Sequence, residues 1–315
     1  MDIHWLVSNS KQLASDVLLN RVLSIHIEMY QQNNANYNRF HSTNRGSETL
    51  TNDGLGNPTK ANGMVRSAFR PSDDACIFQL LVPSNMMFAK YLESASLIMA
   101  QLQDARAKNA TATMRSLAFG IREGIDKDAI VKHRDFGDIF AYEIDGYGGS
   151  TLMDDANIPS LLAMPLWNYT ESDFELPKDA KSKDYAKIYA NTRKFVLSDS
   201  NPYFSKGPVL SAVGGPHLGP GKGWPMAAIV RAMTAYSPLL KGDANEEVRG
   251  QLKMVLDSTG GTGLVHESVN GFDGHDWTRA WFGWANGLLG ELVLIIEEED
   301  KKTGSTNGML GESWQ

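Results

Sequence analysis

The feature that most constrains this chain is a recurrence of helix-length stretches whose apolar residues fall three and four positions apart. They cover residues 13–30, 86–102, 114–125, 185–197, 226–236, 248–256 and 281–296. That period lays apolar side chains along one helix face, so each stretch predicts an amphipathic helix that needs a partner to bury its stripe. Between residues 136 and 152 the pattern changes to short alternating runs around Tyr142, Ile144 and Tyr147, with a Gly148-Gly149 pair. These predict a local β-hairpin rather than a sheet. The chain reads as mainly α with a small β-hairpin insertion.

Several polar, glycine- or proline-rich segments stand just before a stretch that opens with proline, the residue that suits a helix's first turn. Arg70-Pro-Ser-Asp-Asp74 precedes Pro83, Asp154-Asp-Ala-Asn157 precedes Pro159, and Gly214-Gly-Pro-His217 precedes Trp224-Pro225. If alternate helices run parallel, the three segments gather at one end of the domain. Stacked helical hairpins closed into a ring do this, and their N-termini offer free N–H groups and partial positive charge to carboxylates and hydroxyls. The periodic stretches amount to roughly four helical hairpins of such a ring. The polar residues 31–62 then form an extended loop draped over its mouth. No low-complexity linker breaks the chain, so residues 1–300 are expected as a single domain, with a disordered tail at 301–315 where periodicity ends.

Thirty Lys and Arg against 37 Asp and Glu give a net charge of −7, and no basic run tracks phosphates, which argues against nucleic acid as a partner. The apolar run at 288–296 is interrupted by Gly290 and Glu291 and falls short of the ~20 residues that cross a bilayer, so no membrane span is expected. One cysteine, Cys76, excludes an internal disulfide and a cysteine-rich metal site, and is expected as a small buried apolar residue. Met1-Asp-Ile-His-Trp5 has neither the basic nor the apolar region of a signal peptide. The expected location is cytoplasmic, or secretory or extracellular if a signal has been lost.

In Arg70-Pro-Ser-Asp-Asp74 two adjacent carboxylates follow an arginine. Repulsion can hold one of them protonated, ready to donate to a leaving oxygen; alternatively the pair caps a helix start. Asp154, Asp155 and Asn157 can fork hydrogen bonds onto vicinal hydroxyls, or Asn157 can cap the following helix. The glycines of Gly214–Gly223 permit close backbone approach, while His217 and Trp224 offer a hydrogen-bonding group and a flat apolar face. Glu267 stands between His266 and Ser268, either of which can orient it, as a base that activates one water requires. Beyond it, Trp277, Arg279, Trp281 and Trp284 crowd one short stretch; such rings stack on sugar C–H faces, or else pack into a core.

Taken together these segments resemble glycoside hydrolase family 125, the exo-α-1,6-mannosidases with a six-hairpin (α/α) barrel. The resemblance extends from Gly63 to about Glu297. It is carried by Ser67-Ala-Phe-Arg-Pro-Ser-Asp-Asp-Ala75, Leu152-Met-Asp-Asp-Ala-Asn-Ile-Pro-Ser160, Asn201-Pro-Tyr203, Gly215-Pro-His217, His266-Glu-Ser268 and Thr278-Arg-Ala-Trp-Phe-Gly-Trp-Ala-Asn286. It implies metal-independent removal of non-reducing-end mannose from α-1,6-linked oligosaccharides or N-glycan- or mannan-type glycans, with inversion and no cofactor. Glu267 is then the general base, and the general acid is Asp73 or Asp74. Arg70, Asp154, Asp155, Asn157, His217, Trp224, His266, Arg279 and Trp281 are the expected substrate-binding residues. Inversion requires the two carboxyl groups ~6.5–9.5 Å apart so that a water fits.

Members of that family carry, upstream of the region that resembles this chain, further barrel helices and a Trp-Leu-Arg-Asp-Ser motif, which is absent from this sequence. The expectation is therefore an incomplete barrel, roughly four of six hairpins. The alternative function is an inactive mannoside-binding or scaffold fragment of the same fold.

Overall fold

The computed structural model describes residues 46–52, 54–172, 183–303 and 308–311. The expected helix at 13–30 and the first part of the polar stretch lie outside them. Six α-helices occur among the described residues: α1 (Val82–Ala100), α2 (Ala105–Gly124), α3 (Tyr185–Val196), α4 (Pro225–Ala235), α5 (Ala244–Asp257) and α6 (Gly283–Thr303). They answer in order to the remaining periodic stretches. No helix among them is long and apolar enough to cross a membrane.

The residues group into two compact units. One comprises Met1–Val131, Phe140–Thr151 and Trp167–Asp184; the other comprises Lys132–Ile139, Leu152–Leu166 and Tyr185–Gln315. The chain passes between them repeatedly rather than once, so no composition shift or linker marks the division.

In the first unit α1 and α2 pack along each other. Val82, Met86, Ala89 and Met99 of α1 and Ala107, Met114, Ala118 and Ile121 of α2 are almost fully buried, and the alanines let the backbones approach. Asp104 caps α2 by accepting from the Arg106 amide at 2.7 Å. Between the helices the Arg122 guanidinium donates to Glu93 Oε1 at 2.5 Å and to the Tyr169 carbonyl at 2.8 Å, so this buried charge is paired. Cys76 is buried, as expected.

β1 (Leu80–Leu81) leads into α1, and β2 (Ile130–His133) and β3 (Gly137–Phe140) form a two-stranded ladder. The expected local hairpin at 136–152 appears as β4 (Glu143–Ile144) and β5 (Ser150–Thr151), but β1 joins it, giving a three-stranded antiparallel sheet in the order β1-β4-β5. The partner strand lies far away in sequence, which a local alternation pattern cannot reveal. Register pairs Leu81 with Glu143 and Glu143 with Thr151, placing an acidic residue at the sheet's buried centre.

In the second unit α4 packs against both α5 and α6, and its Met226, Ile229, Val230 and Met233 are buried. β6 (Phe204–Ser205) pairs with β7 (Ala212–Val213). β8 (Lys222–Gly223), β9 (Ser268–Asn270) and β10 (Asp273–Thr278) form a second antiparallel sheet, with β9 central. Pro83 and Pro225 open α1 and α4 as predicted. After Pro159 no α-helix forms; turns lead into a short 3-10 helix, Met164–Trp167. Here the chain wraps around a buried carboxylate, described below. Helix α6 continues through Thr303, beyond the expected start of the tail. Its end is held by ion pairs from Lys301 to Glu297 at 2.6 Å and from Lys302 to Glu299 at 2.5 Å, and lysines suit a helix C-terminus.

Candidate active site

In the first unit residues 70–74 form a closed turn. The Asp73 amide donates to the Arg70 carbonyl at 3.1 Å, and the Arg70 amide to the Asp74 carbonyl at 2.8 Å. Asp73, at the tip, has a φ of 67°, a left-handed conformation costly for a residue with a Cβ and concentrated at functional sites. The turn separates the two carboxylates: Asp73 is exposed, whereas Asp74 is buried and accepts from the Ser72 hydroxyl at 3.4 Å. Neither caps a helix, since α1 begins at Val82 with Leu81 as its N-cap.

Arg70 anchors this turn to the sheet. Its Nε donates to Glu143 Oε1 at 2.6 Å, and the other Glu143 oxygen accepts from the amides of Ile77 at 3.1 Å and Phe78 at 3.3 Å. Burial disfavours the Arg70 charge, yet the hydrogen bond and charge of Glu143 outweigh it and hold the guanidinium above its usual range. Arg70 Nη2 is buried without a hydrogen-bond partner among the described residues.

In the second unit Glu267 immediately precedes β9, its amide bonded to the Thr278 carbonyl at 3.1 Å. Its side chain is 12% exposed. One oxygen accepts from the Thr278 hydroxyl at 3.0 Å, and the other lies 3.2 Å from Arg279 Nε. The expected orienting neighbours do something else. Ser268 bonds to Thr278 at 2.7 Å rather than to Glu267. His266 is buried, its Nδ1 at 2.7 Å from the Ala280 carbonyl and its Nε2 at 3.3 Å from that of Thr259, with the ring stacked on Trp277 at 4.4 Å. It bonds the backbone carbonyls on either side of Glu267 in sequence, with one ring face against Trp277.

Asp154 also bonds to backbone. It is fully buried, and its two oxygens each accept a backbone amide at 2.9 Å, from Leu161 and Leu162. Burial pushes its carboxyl up to about 7, against those two bonds. The segment therefore folds around Asp154 as a staple. Asp155 accepts from the amide and side chain of Asn157, both at 2.9 Å, and both residues are buried; Asn157 braces Asp155 and caps no helix. The Gly-rich loop reaches this segment, for the Ala156 amide donates to the Gly214 carbonyl at 3.0 Å. A Cβ at Gly214 would lie 2.3 Å from the Lys222 carbonyl, so only glycine fits there.

Trp224 is buried at the N-cap of α4, edge-on to His217 and to Phe282 at 5.9 Å each. Its Nε1 meets no partner among the described residues. His217 is half-buried. Trp281 and Trp284 are 61% and 38% exposed, so neither is a core residue. Arg279, expected on substrate, faces Glu267. No group of three or more His, Cys, Asp or Glu side chains among the described residues is placed to hold a metal ion.

Sequence reasoning missed the role of two residues. Glu143 carried a signal, a charge inside an apolar alternating run, which must be paired if buried. Thr278 carried none, because its hydroxyl meets Glu267 only through the pairing of β9 with β10.

The family model for metal-independent alpha-mannosidases (GH125) matches residues 8–294. The chain belongs to that family. It is similar to the meiotically up-regulated gene 157 protein of Schizosaccharomyces pombe, 42% identical over 264 residues that cover 83% of this chain and 48% of that protein. It is also similar to a solved Streptococcus pneumoniae chain, from work on metal-independent alpha mannosidases, in a non-productive substrate complex with α-1,6-mannobiose. That likeness has 34% identity and a TM-score of 0.75, covering 88% of this chain and 61% of that one. The chain thus spans about half the length of the curated relative and under two thirds of the solved one. Through this GH125 neighbour the mainly helical fold with small sheets belongs to the expected α/α-barrel class.

Proposed function

We propose that this GH125 chain is an α-mannosidase that removes non-reducing-end mannose from α-1,6-linked oligosaccharides, N-glycan- or mannan-type, with inversion and without a metal. The observation that carries the reading is Glu267, a slightly exposed carboxylate with one oxygen hydrogen-bonded by Thr278 and the other ion-paired with Arg279, as a base with one water to activate requires. Asp73 is the acid: of the adjacent pair it alone has the exposure to reach a glycosidic oxygen, while Asp74 closes the turn. Exposed Trp281 supplies a stacking face for a sugar ring. The likeness to a chain complexed with α-1,6-mannobiose supports the choice of linkage.

The test is mannose release from α-1,6-mannobiose by the full chain, in the presence and absence of EDTA, with the first-formed anomer read by NMR. Glu267→Gln and Asp73→Asn should abolish release, and the product should appear first as the β-anomer. Mannoside binding by calorimetry without turnover would overturn the reading in favour of a binding protein. Equal hydrolysis of the gluco-configured disaccharide would overturn the sugar assignment.

A further inference from the structure

Glu267 is held by a chain of hydroxyls whose direction is fixed by chemistry. An ionised carboxylate only accepts hydrogen bonds, so Thr278 Oγ1 donates its one proton to Glu267 Oε2 at 3.0 Å. The 2.7 Å contact between Ser268 and Thr278 must then be donated by Ser268, which is fully buried. The two hydroxyl residues are cross-strand partners in the register of β9 with β10. Glu267 itself is tied by its amide to the same Thr278. On the other oxygen Arg279 Nε lies at 3.2 Å, and Arg279 adopts a φ of 53°. A non-glycine residue held in that region is a local cost that the surrounding structure must enforce.

We infer that Thr278 is a positioning residue for Glu267, its hydroxyl aimed by Ser268, with Arg279 ion-paired to the opposite oxygen. The inference rests on the reading of Glu267 as the base. A glutamate carboxylate turns easily about its terminal torsion; a hydroxyl donor on one oxygen and a guanidinium beside the other restrain that rotation and leave the remaining lone pairs to face one water. A base that must take a proton from a water in a single orientation gains from such fixing. Among the residues of its own unit the charged group against Glu267 is Arg279, while His266 faces the carbonyls of Ala280 and Thr259.

Thr278→Val keeps the size and β-branching and removes the donor. With α-1,6-mannobiose, kcat should fall roughly 10- to 100-fold with KM near wild type. Thr278→Ser should restore most of the rate. Ser268→Ala should give a smaller fall in kcat with KM again near wild type, and it carries the test if Thr278→Val does not fold. A wild type that turns over substrate while Thr278→Val matches it in kcat overturns this inference alone. So does an equal loss in Thr278→Val and Thr278→Ser, since the hydroxyl would then not be what matters. A wild type without turnover, matched by Glu267→Gln, overturns the assignment of the base and this inference with it.

Discussion

Replacing Glu143 by glutamine keeps the shape of the side chain and removes its charge, leaving the Arg70 guanidinium buried beside a neutral amide. The two side chains are 3% and 0% exposed and meet at 2.6 Å, so water cannot take over the lost partner. Two unit charges ~4 Å apart attract by about 4 kcal/mol at an effective dielectric of 20. Breaking buried pairs on one side costs ~3–5 kcal/mol. The substituted amide also points an N–H₂ group towards one of the donors now on Glu143, either Arg70 or the amides of Ile77 and Phe78, adding an unsatisfied contact. A loss of about 4 kcal/mol is thus expected, a large share of the ~5–15 kcal/mol that holds a domain together.

Denaturant unfolding followed by far-UV circular dichroism measures it: the midpoint should fall with the slope unchanged. The double variant Arg70→Met/Glu143→Met should recover much of the loss, since no unpaired charge remains. Because Arg70 closes the 70–74 turn through its own amide and carbonyl, Glu143→Gln should also lower mannose release beyond the unfolded fraction. A Glu143→Gln midpoint within ~0.5 kcal/mol of wild type, the scale of a neutral surface change, would refute the reasoning.

Asp154 makes stability depend on pH in the direction opposite to a surface carboxylate. Its folded value of about 7 stands above the ordinary 3.8, so the folded chain keeps a proton that the unfolded chain releases. The contribution is complete below about pH 4 and is lost as pH rises to about 7; three units at about 1.36 kcal/mol each put its ceiling at roughly 4 kcal/mol. Unfolding titrated over that range should show the wild type losing stability relative to Asp154→Asn, and parallel curves would refute it. Trp281→Ala should leave the unfolding midpoint within ~0.5 kcal/mol, because the indole is 61% exposed, while raising KM for α-1,6-mannobiose several-fold. An unchanged KM would remove Trp281 from the sugar site. Met226→Ala, fully buried in α4, should cost ~2–5 kcal/mol by cavity formation, read as a lower denaturant midpoint at unchanged slope.

By itself the sequence determined the helices from α1 to α6, because an apolar stripe at three- and four-residue spacing is a local property that needs no knowledge of its partner. Prolines 83 and 225 marked two of their starts for the same reason: a missing N–H and a fixed φ act within one turn. The ordered motifs also marked Glu267 and the Asp73/Asp74 pair as the groups to watch. Tertiary structure decided what each polar residue does. Asp154 and His266 have the composition of sugar ligands, yet burial turns one into a backbone staple and sets the other between two carbonyls. Glu143 meets Arg70 across 73 positions of sequence. Thr278 and Arg279 reach the Glu267 carboxylate only because β10 pairs back onto β9. A hydrogen bond is satisfied over about 3 Å, so a polar residue's role depends on which strand or turn the fold brings that close, and side-chain chemistry alone does not specify it.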